Sequence, residues 1–279
     1  MSRLWRDQIQ VFLAPERVDL VRHSRGFKPM QTAKVTAFCK QTQGAPAWQS
    51  PLQQLEKNLV DAAGTELTIT LSNHFVRYVA LPPQVEITTP EEVKSYATFR
   101  MHEIYGERVN SWILSISEWN PINGAICAAI PKSLMTQLEE IAARYQFKLK
   151  EIEPYLSSVY DRWQKLLSGN KIYFAVIEAG RICIALLING IWHSIRNQRI
   201  SHGPATADEL LAALDQEAVF SGNKEANELV YLFAPEHPEL VLSKDCGWSL
   251  IPIPTGQIPL LAHYPSVIAN NAEMDQCPA

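Results

Sequence analysis

The sequence predicts an α/β protein made of two halves with similar architecture and a smaller α+β lobe inserted into the first half. Three strands, a helix and a further strand follow one another near the start of the chain, and the same order returns after Lys171. Between them lies a segment patterned as helix, two strands, helix and strand, which is typical of an α+β subdomain. The repetition is one of architecture and not of residues.

Alternation of apolar and polar residues identifies the strands of the first half. Pro15 and Glu16 separate the first two strands, and Gly26 and Pro29 mark the turn before the third. The predicted elements are strands Gln8–Leu13, Arg17–His23 and Ala33–Cys39, helix Pro51–Ala63, a strand around Leu67–Leu71, and strand Phe75–Leu81.

The inserted lobe begins with a strong helix-start signal. Thr89 as N-cap, Pro90 in the first turn and Glu92 complete a capping box. The predicted elements after this helix are strands Trp112–Trp119 and Ala125–Ile130, helix Lys132–Tyr145, strand Lys148–Ile152 and helix Pro154–Leu167.

The strands of the second half are almost wholly apolar, as expected for strands covered on both faces. Asn189 and Gly190 form a favoured two-residue hairpin turn. The predicted elements are strands Ile172–Ile177, Arg181–Ile188 and Ile191–Ile200, helix Thr206–Phe220, and strands Leu229–Phe233 and Trp248–Ile253. We therefore expect a first domain at residues 1–168, with the lobe at about 83–150, a second domain at 169–261, and a C-terminal tail at 262–279.

Composition narrows the function classes. Apolar residues make up 47% of the 279 residues, charged residues 19%, and the net charge is −4, so nucleic acid is not an expected partner. No apolar run reaches the roughly 18–20 residues that cross a bilayer, and the N-terminus lacks the apolar core of a signal peptide. The five cysteines are odd in number and form no C-x-x-C pair. These features predict a cytoplasmic protein without direct membrane insertion, disulfide framework or metal site.

The order of elements resembles the actin/Hsp70/hexokinase superfamily, and the inserted lobe resembles its bacterial PilM, FtsA and GspL branch. The resemblance is carried by Leu67–Leu81 followed by Pro82 and the Thr89 helix, by the passage from Ala125 to Leu156, and by the meander Phe174–Ile200 with Gly190. It implies an actin-like ATPase (ribonuclease H-like) duplicated fold. It also implies a role in type IV pilus or type II secretion assembly.

The nucleotide loops that this resemblance requires have lost their characteristic residues. Phe12 stands where the first phosphate loop has its Asp, and Pro15 and Glu16 replace glycine and hydroxyl residues. The second loop retains an acid and a glycine, Glu178 and Gly180, but no hydroxyl. Where the adenosine loop should carry a Gly-Gly pair, the sequence reads Leu232-Phe-Ala-Pro-Glu-His237. We therefore expect a pseudo-ATPase with no cofactor and no catalytic residues.

The expected function is a non-catalytic scaffold or adaptor that binds an inner-membrane partner and is peripheral to that membrane through it. The resemblance implies a PilN-like bitopic partner, docked through a short peptide, and self-association through the lobe. The candidate partner-binding residues are Phe75, Arg77, Tyr78, Val93, Tyr96 and Arg100.

Two alternatives remain open at this level. The first is an ATPase or sugar-kinase-like enzyme that would bind ATP and magnesium through Glu178 and Gly180. The second concerns the polar-aromatic passage Asn73–Tyr78, which is either a simple hairpin between two strands or a docking edge.

Overall fold

The computed structural model describes residues 7–24, 30–60, 63–201, 206–222, 227–255 and 267–268. The chain forms two compact units. The first contains the residues up to Leu71 together with Gln137–Glu153, and the second contains Ser72–Thr136 and Pro154–Thr255. No helix in these described stretches is both long and apolar enough to span a membrane.

The first unit is built on a mixed seven-stranded sheet. Its strands are β1 (Gln8–Ala14), β2 (Arg17–Ser24), β3 (Met30–Gln31), β4 (Val35–Phe38), β5 (Glu66–Leu71), β9 (Lys148–Pro154) and β15 (Val267–Ile268). In space the order is β15, β4, β2, β1, β5 and β9, with β3 paired to β2. Strand β2 is antiparallel to β1 and β4, whereas β5 is parallel to β1. The predicted three-strand meander is thus confirmed.

Helix α1 (Gln49–Asn58) follows the meander and buries Leu52 and Leu55. A charged group also lies in the interior of this unit, because the Asp19 carboxylate on β2 is only 1% exposed. Arg17 and Lys34 approach it at 3.2 and 3.0 Å, and the Thr36 hydroxyl donates a hydrogen bond of 2.6 Å. The buried acid is therefore matched by two cations and one neutral donor, as burial of a charge requires.

The second unit contains a five-stranded sheet whose pairing repeats that of the first. Its strands are β10 (Lys171–Glu178), β11 (Arg181–Ile188), β12 (Ile191–Arg199), β13 (Glu228–Phe233) and β14 (Trp248–Pro252). The order is β12, β11, β10, β13 and β14; β11 is antiparallel to its neighbours, and β13 is parallel to β10. Asn189 and Gly190 both have positive φ angles, which is the predicted type I′ turn. The duplicated architecture is confirmed.

Two helices cover opposite faces of this sheet, which explains its near-continuous apolar sequence. Helix α5 (Thr206–Ser221) packs through Leu210 and Leu214 on the face that carries Tyr173. On the other face, Tyr155 and Tyr160 of helix α4 (Tyr155–Trp163) make edge contacts with Phe233 and Phe174, respectively, at ring-centroid distances of 6.2 and 5.8 Å.

The lobe consists of one helix on a three-stranded antiparallel sheet. Its elements are helix α2 (Pro90–Tyr105) and strands β6 (Arg77–Leu81), β7 (Trp112–Ile116) and β8 (Ala125–Pro131), in the order β6, β8, β7. The capping box of Thr89 and Glu92 is present, as the sequence predicts. Val93, Ala97 and Met101 form the buried face of α2.

The structure corrects the extent of this lobe. The predicted lobe begins at about residue 83, but β6 already belongs to its sheet through pairing with β8. Since β5 and β6 lie in different sheets, Asn73–Tyr78 does not connect a hairpin. At the other end, β9 joins the first unit's sheet beside β5, where Lys148 N donates to Thr65 O at 2.9 Å. Helix α3 (Lys132–Arg144) leads to it, and its residues from Gln137 onward belong to the first unit.

The predicted domain limits also differ from the compact units. A limit at residue 168 places α4 in the first domain, whereas α4 packs on the second sheet and belongs to the second unit. Most of the predicted tail, residues 262–279, lies outside the described residues, and its strand β15 pairs with β4.

Alanine at Gly124 should disturb the turn that leads into β8. Gly124 has a φ of +70°, and an added Cβ would lie 2.1 Å from Leu81 O. Gly190 has a φ of +78° with nothing within 4 Å of an added Cβ. We expect Gly190→Ala to lower the free energy of unfolding by about 1 kcal/mol, the usual cost of left-handed backbone. Gly124→Ala should lower it by at least about 2 kcal/mol, because backbone must also move.

Urea denaturation followed by tryptophan fluorescence measures both losses. Equal losses for the two variants would contradict the close approach of Gly124 to Leu81.

Candidate functional site

The hairpin between β10 and β11 occupies the position that the resemblance gives to the second phosphate loop. Glu178 and Arg181 are paired across it, so its turn consists of Ala179 and Gly180. Gly180 has a φ of +71°, which glycine adopts without strain. Its carbonyl accepts a hydrogen bond of 3.1 Å from Ile200 N. The hairpin is therefore closed by a tight two-residue turn.

Glu178 is the last residue of β10, and its carboxylate is 3% exposed. One oxygen accepts a hydrogen bond of 2.6 Å from the Ser72 hydroxyl, and the other accepts one of 2.8 Å from Asn73 N. A third contact joins His74 Nε2 to Ala179 O at 2.9 Å. The acid retained in this hairpin is thus bonded to donors of the protein itself.

Asn73 extends this network to two further elements. Its side-chain oxygen accepts hydrogen bonds from the Tyr78 hydroxyl at 2.7 Å and from Leu156 N at 3.2 Å. Leu156 lies in the first turn of α4, where backbone N–H groups have no helical partner. Burial raises the pKa of Tyr78 well above its ordinary value, so its hydroxyl stays protonated and can donate. Asn73 therefore fixes both β6 and the start of α4.

The first phosphate loop is replaced by the two-residue turn of the β1–β2 hairpin. Ala14 pairs with Arg17, which leaves Pro15 and Glu16 as the turn. Phe12, in the position of the expected Asp, is 1% exposed, and the Arg17 guanidinium lies 5.4 Å from its ring centroid. Glu16 O accepts a hydrogen bond of 2.7 Å from Cys39 N. This turn presents the Glu16 carboxylate and a proline nitrogen without a hydrogen, so Pro15 supplies no N–H donor to phosphate.

The segment expected to hold adenosine is also compact. Ala234 follows β13 and is buried, and its carbonyl accepts a hydrogen bond of 3.0 Å from His237 N. Leu232 O accepts one of 2.8 Å from Ile253 N. Backbone hydrogen bonds within the second unit therefore hold this turn.

Three of the six predicted partner-binding residues lie in the interior. Phe75, Tyr78 and Val93 are 4%, 1% and 7% exposed. Phe75 lies just before β6, and Tyr78 lies in β6. Val93 is on the buried face of α2. Their apolar pattern indicates burial as readily as recognition, and in this structure they do not present a surface.

The other three predicted residues, Arg77, Tyr96 and Arg100, are partly exposed. Arg77 donates to His74 O and Val76 O at 3.2 and 2.8 Å, and Arg100 pairs with Glu103 at 2.5 Å. Their role in binding stays a prediction.

Helix α2 exposes two apolar side chains that the sequence interpretation did not select. Phe99 is 59% exposed and Ile104 is 57% exposed. Ile104 lies one residue before the end of α2 at Tyr105. Tyr96, Arg100 and Ile104 recur at four-residue spacing with Phe99 beside them, so they share one side of α2. We call these four residues the α2 surface.

No family model matches the sequence, and no curated protein does. Solved structures do resemble it. A chain of the PilM–PilN type IV pilus biogenesis complex has a TM-score of 0.61 and 16% identity, with 88% of each chain covered. The cytoplasmic domain of EpsL, an inner membrane component of the type II secretion system of Vibrio cholerae, has a TM-score of 0.57 and 11% identity, with 91% and 92% covered. A Bacteroides thetaiotaomicron protein with an actin-like ATPase fold has a TM-score of 0.54 and 12% identity, with 86% and 87% covered. The chain has an actin-like fold.

The actin-like fold confirms the predicted architecture and the resemblance to PilM- and GspL-like proteins at the level of structure.

Metal-binding clusters and reactive thiols were also sought in the described residues. In the described parts of the chain, no cluster of three or more His, Cys, Asp or Glu side chains could hold a metal ion. Burial raises the pKa of Cys39 to about 11 and of Cys127 to about 12, so both are neutral thiols at physiological pH and weak nucleophiles.

Removal of the Ser72 hydroxyl should destabilise the second unit. Ser72→Ala leaves one oxygen of the buried Glu178 carboxylate without that donor, and we expect a loss of about 1.5–3 kcal/mol in the free energy of unfolding. Ser115→Ala, at an exposed position of β7, is the matched control and should change it by less than about 0.5 kcal/mol. Chemical denaturation of both variants tests this, and indistinguishable midpoints would contradict a structural role for the Ser72–Glu178 bond.

Proposed function

We propose that this protein is a non-catalytic actin-like adaptor of a type IV pilus or type II secretion assembly platform. In this role it works in the cytoplasm and is held at the inner membrane by a PilN-like bitopic partner, which docks through a short peptide. The observation that carries the proposal is the engagement of the Glu178 carboxylate by Ser72 and Asn73.

This engagement opposes nucleotide hydrolysis for a physical reason. In the enzyme alternative Glu178 would bind ATP with magnesium, and a carboxylate that holds a hydrated cation must be reachable by solvent. Glu178 is almost fully buried, and its oxygens accept bonds from a hydroxyl and a backbone N–H. Coordination of a hydrated cation would require those bonds to break and the segment 72–74 to move.

The first unit supports the same conclusion. Phosphate groups are bound by backbone N–H groups that approach closely, usually with glycine. The β1–β2 turn supplies Pro15, which has no N–H, and Glu16, whose charge repels phosphate. Neither replacement is compatible with a polyphosphate at this turn.

The α2 surface is the best candidate for the docked peptide. It combines two exposed apolar side chains, Phe99 and Ile104, with the partly exposed Tyr96 and Arg100. Tyr96 is held in place by an edge contact with Trp119 at 5.9 Å, so the surface is anchored by the lobe core. The similarity to a chain of the PilM–PilN complex supports a protein partner of this kind. Self-association through the lobe remains a prediction that sedimentation velocity would test.

Millimolar ATP with magnesium should leave the melting temperature unchanged. A ligand present at 100 times its dissociation constant adds about 2.7 kcal/mol to stability, which thermal melting detects easily. Magnesium alone and sodium tripolyphosphate at matched ionic strength are the controls. A shift that needs both ATP and magnesium would contradict the adaptor proposal and favour the ATPase or sugar-kinase-like alternative.

A change on the α2 surface should weaken binding of the partner peptide. The peptide is the N-terminal cytoplasmic segment of the PilN-like protein from the same organism, and isothermal titration calorimetry measures its affinity. We expect Phe99→Ser to reduce the affinity about tenfold or more, because exposed aromatic residues are typical anchors of interfaces. Ile122→Ser is the control, since Ile122 is 70% exposed in the turn before β8. Equal affinities for the two variants would exclude the α2 surface as the docking site.

A further inference from the structure

Three charged side chains form a row across the edge of the second sheet. Glu178 on β10 is paired with Arg181 on β11, and Arg181 is paired with Arg199 on β12. Directly opposed residues of antiparallel strands project from the same face of a sheet. Two arginines are therefore placed side by side, and the single acid of the row leaves it with a net positive charge.

Arg181 is the buried member of this row, with 5% exposure. Its Nη1 donates to Asn197 Oδ1 at 3.0 Å. Its Nε is buried and has no hydrogen-bond acceptor among the residues that the structure describes. The Glu178 carboxylate next to it accepts hydrogen bonds from Ser72 and Asn73, and its charge stabilises Arg181. A buried guanidinium with an unused donor is an unusual feature, since buried polar groups are almost always paired.

Arg77 of the lobe joins the same cluster through shared hydrogen-bond partners. Its Nη1 donates to Val76 O at 2.8 Å, and the same carbonyl accepts a bond of 3.1 Å from Asn197 Nδ2. Because Asn197 also accepts from Arg181, a continuous chain of contacts links the two guanidinium groups. Arg77 is half-buried and Arg199 is exposed, so these two side chains reach solvent while Arg181 beside them is buried.

The electrostatics of the cluster agree with this geometry. Burial and then the charge of Arg199 lower the pKa of Arg77. Burial, followed by the charge of Arg77, lowers the pKa of Arg181. The charge of Glu178 opposes the shift of Arg181, and arginine stays protonated despite such shifts, so three positive charges lie near one negative charge. In a chain with a net charge of −4, this is a local reversal of sign.

The surroundings favour a carboxylate over a phosphate as the missing anion. Phosphate sites usually add backbone N–H groups and hydroxyls to their cations, but here the Asn73 N–H and the Ser72 hydroxyl already bind Glu178. The fixed charge of Glu178 beside Arg181 also opposes a polyanionic phosphate group. A single carboxylate, by contrast, matches the planar fork of one guanidinium.

We propose that Arg77, Arg181 and Arg199 form a binding site for the acidic side chains of a partner peptide. This inference rests on the proposed adaptor function and specifies the partner's chemistry: a segment with Asp or Glu residues next to the apolar residues that contact α2. Arg77 and α2 belong to the same lobe, and the Tyr105 hydroxyl on the last turn of α2 donates to Tyr78 O, one residue after Arg77, at 3.0 Å. The segment that carries Arg77 is therefore in direct contact with the last turn of α2.

The test uses fluorescein-labelled hexaglutamate as the probe and fluorescence polarisation at low ionic strength as the measurement. Hexaglutamine is the neutral control peptide. We expect hexaglutamate to bind the full chain and Arg77→Gln and Arg199→Gln each to weaken it about tenfold. Arg144→Gln is the control variant, because Arg144 is an exposed arginine of α3 outside the cluster. Arg199→Lys should recover part of the affinity, since it keeps the charge but loses the planar fork.

The outcomes separate this inference from the proposed function. Hexaglutamate binding that is absent, or equal in Arg199→Gln and Arg144→Gln, would overturn the site. Tighter, arginine-dependent binding of tripolyphosphate than of hexaglutamate would reassign it to phosphate and overturn the acidic-peptide assignment. If the PilN-like peptide binds with unchanged affinity to Arg77→Gln and Arg199→Gln, the adaptor stands and the site fails. If hexaglutamate binding depends on the arginines but no PilN-like peptide binds, the site stands and the proposed partner fails.

Discussion

The Glu178 carboxylate has to be satisfied inside the protein, and the segment from Ser72 to Val76 is what satisfies it. Water cannot solvate a carboxylate that is 3% exposed, so its charge must be stabilised by fixed donors. Ser72 and Asn73 supply them. The same segment receives the Asn197 side chain from β12 at two of its carbonyls, and its Asn73 side chain caps α4. The lobe, the second sheet and α4 are thereby connected through one short stretch of chain.

This arrangement gives a physical account of how an actin-like fold can keep its architecture while its nucleotide loops change. The fold needs the parallel crossover from β10 to β13 and the covered faces of the sheet, which depend on apolar residues. Nucleotide binding needs exposed backbone donors and a solvent-accessible acid. The two requirements involve different residues, so the loops can tighten without loss of the core. Here the retained acid has become an internal hydrogen-bond acceptor.

The two units differ in how they balance buried charge. In the first unit, Asp19 is matched by Arg17 and Lys34 and by a neutral donor. In the second unit, Glu178 accepts its hydrogen bonds from neutral donors, and its charge stabilises the neighbouring Arg181. The buried Nε of Arg181 nevertheless has no hydrogen-bond acceptor among the described residues. Such a buried donor is a more specific indication of an external anion than surface arginines, because solvent screens buried charge poorly.

Much of the fold followed from the sequence because local patterns determine it. The meanders, the Asn189–Gly190 turn and the capped start of α2 depend on residues close together in the chain, and each was predicted at its observed position. The residues that replace those expected in the phosphate loops could also be identified directly from the sequence. Tertiary structure alone decided which sheet each strand joins. The patterns of β6 and β9 specify strands but not partners, because the free energy of pairing depends on long-range packing. The same limit applies to Phe75, Tyr78 and Val93, whose apolar character did not distinguish a buried position from a binding surface. Likewise, sequence spacing could not predict the contact of Glu178 with Ser72 or of Asn197 with Val76, because each joins residues more than a hundred positions apart.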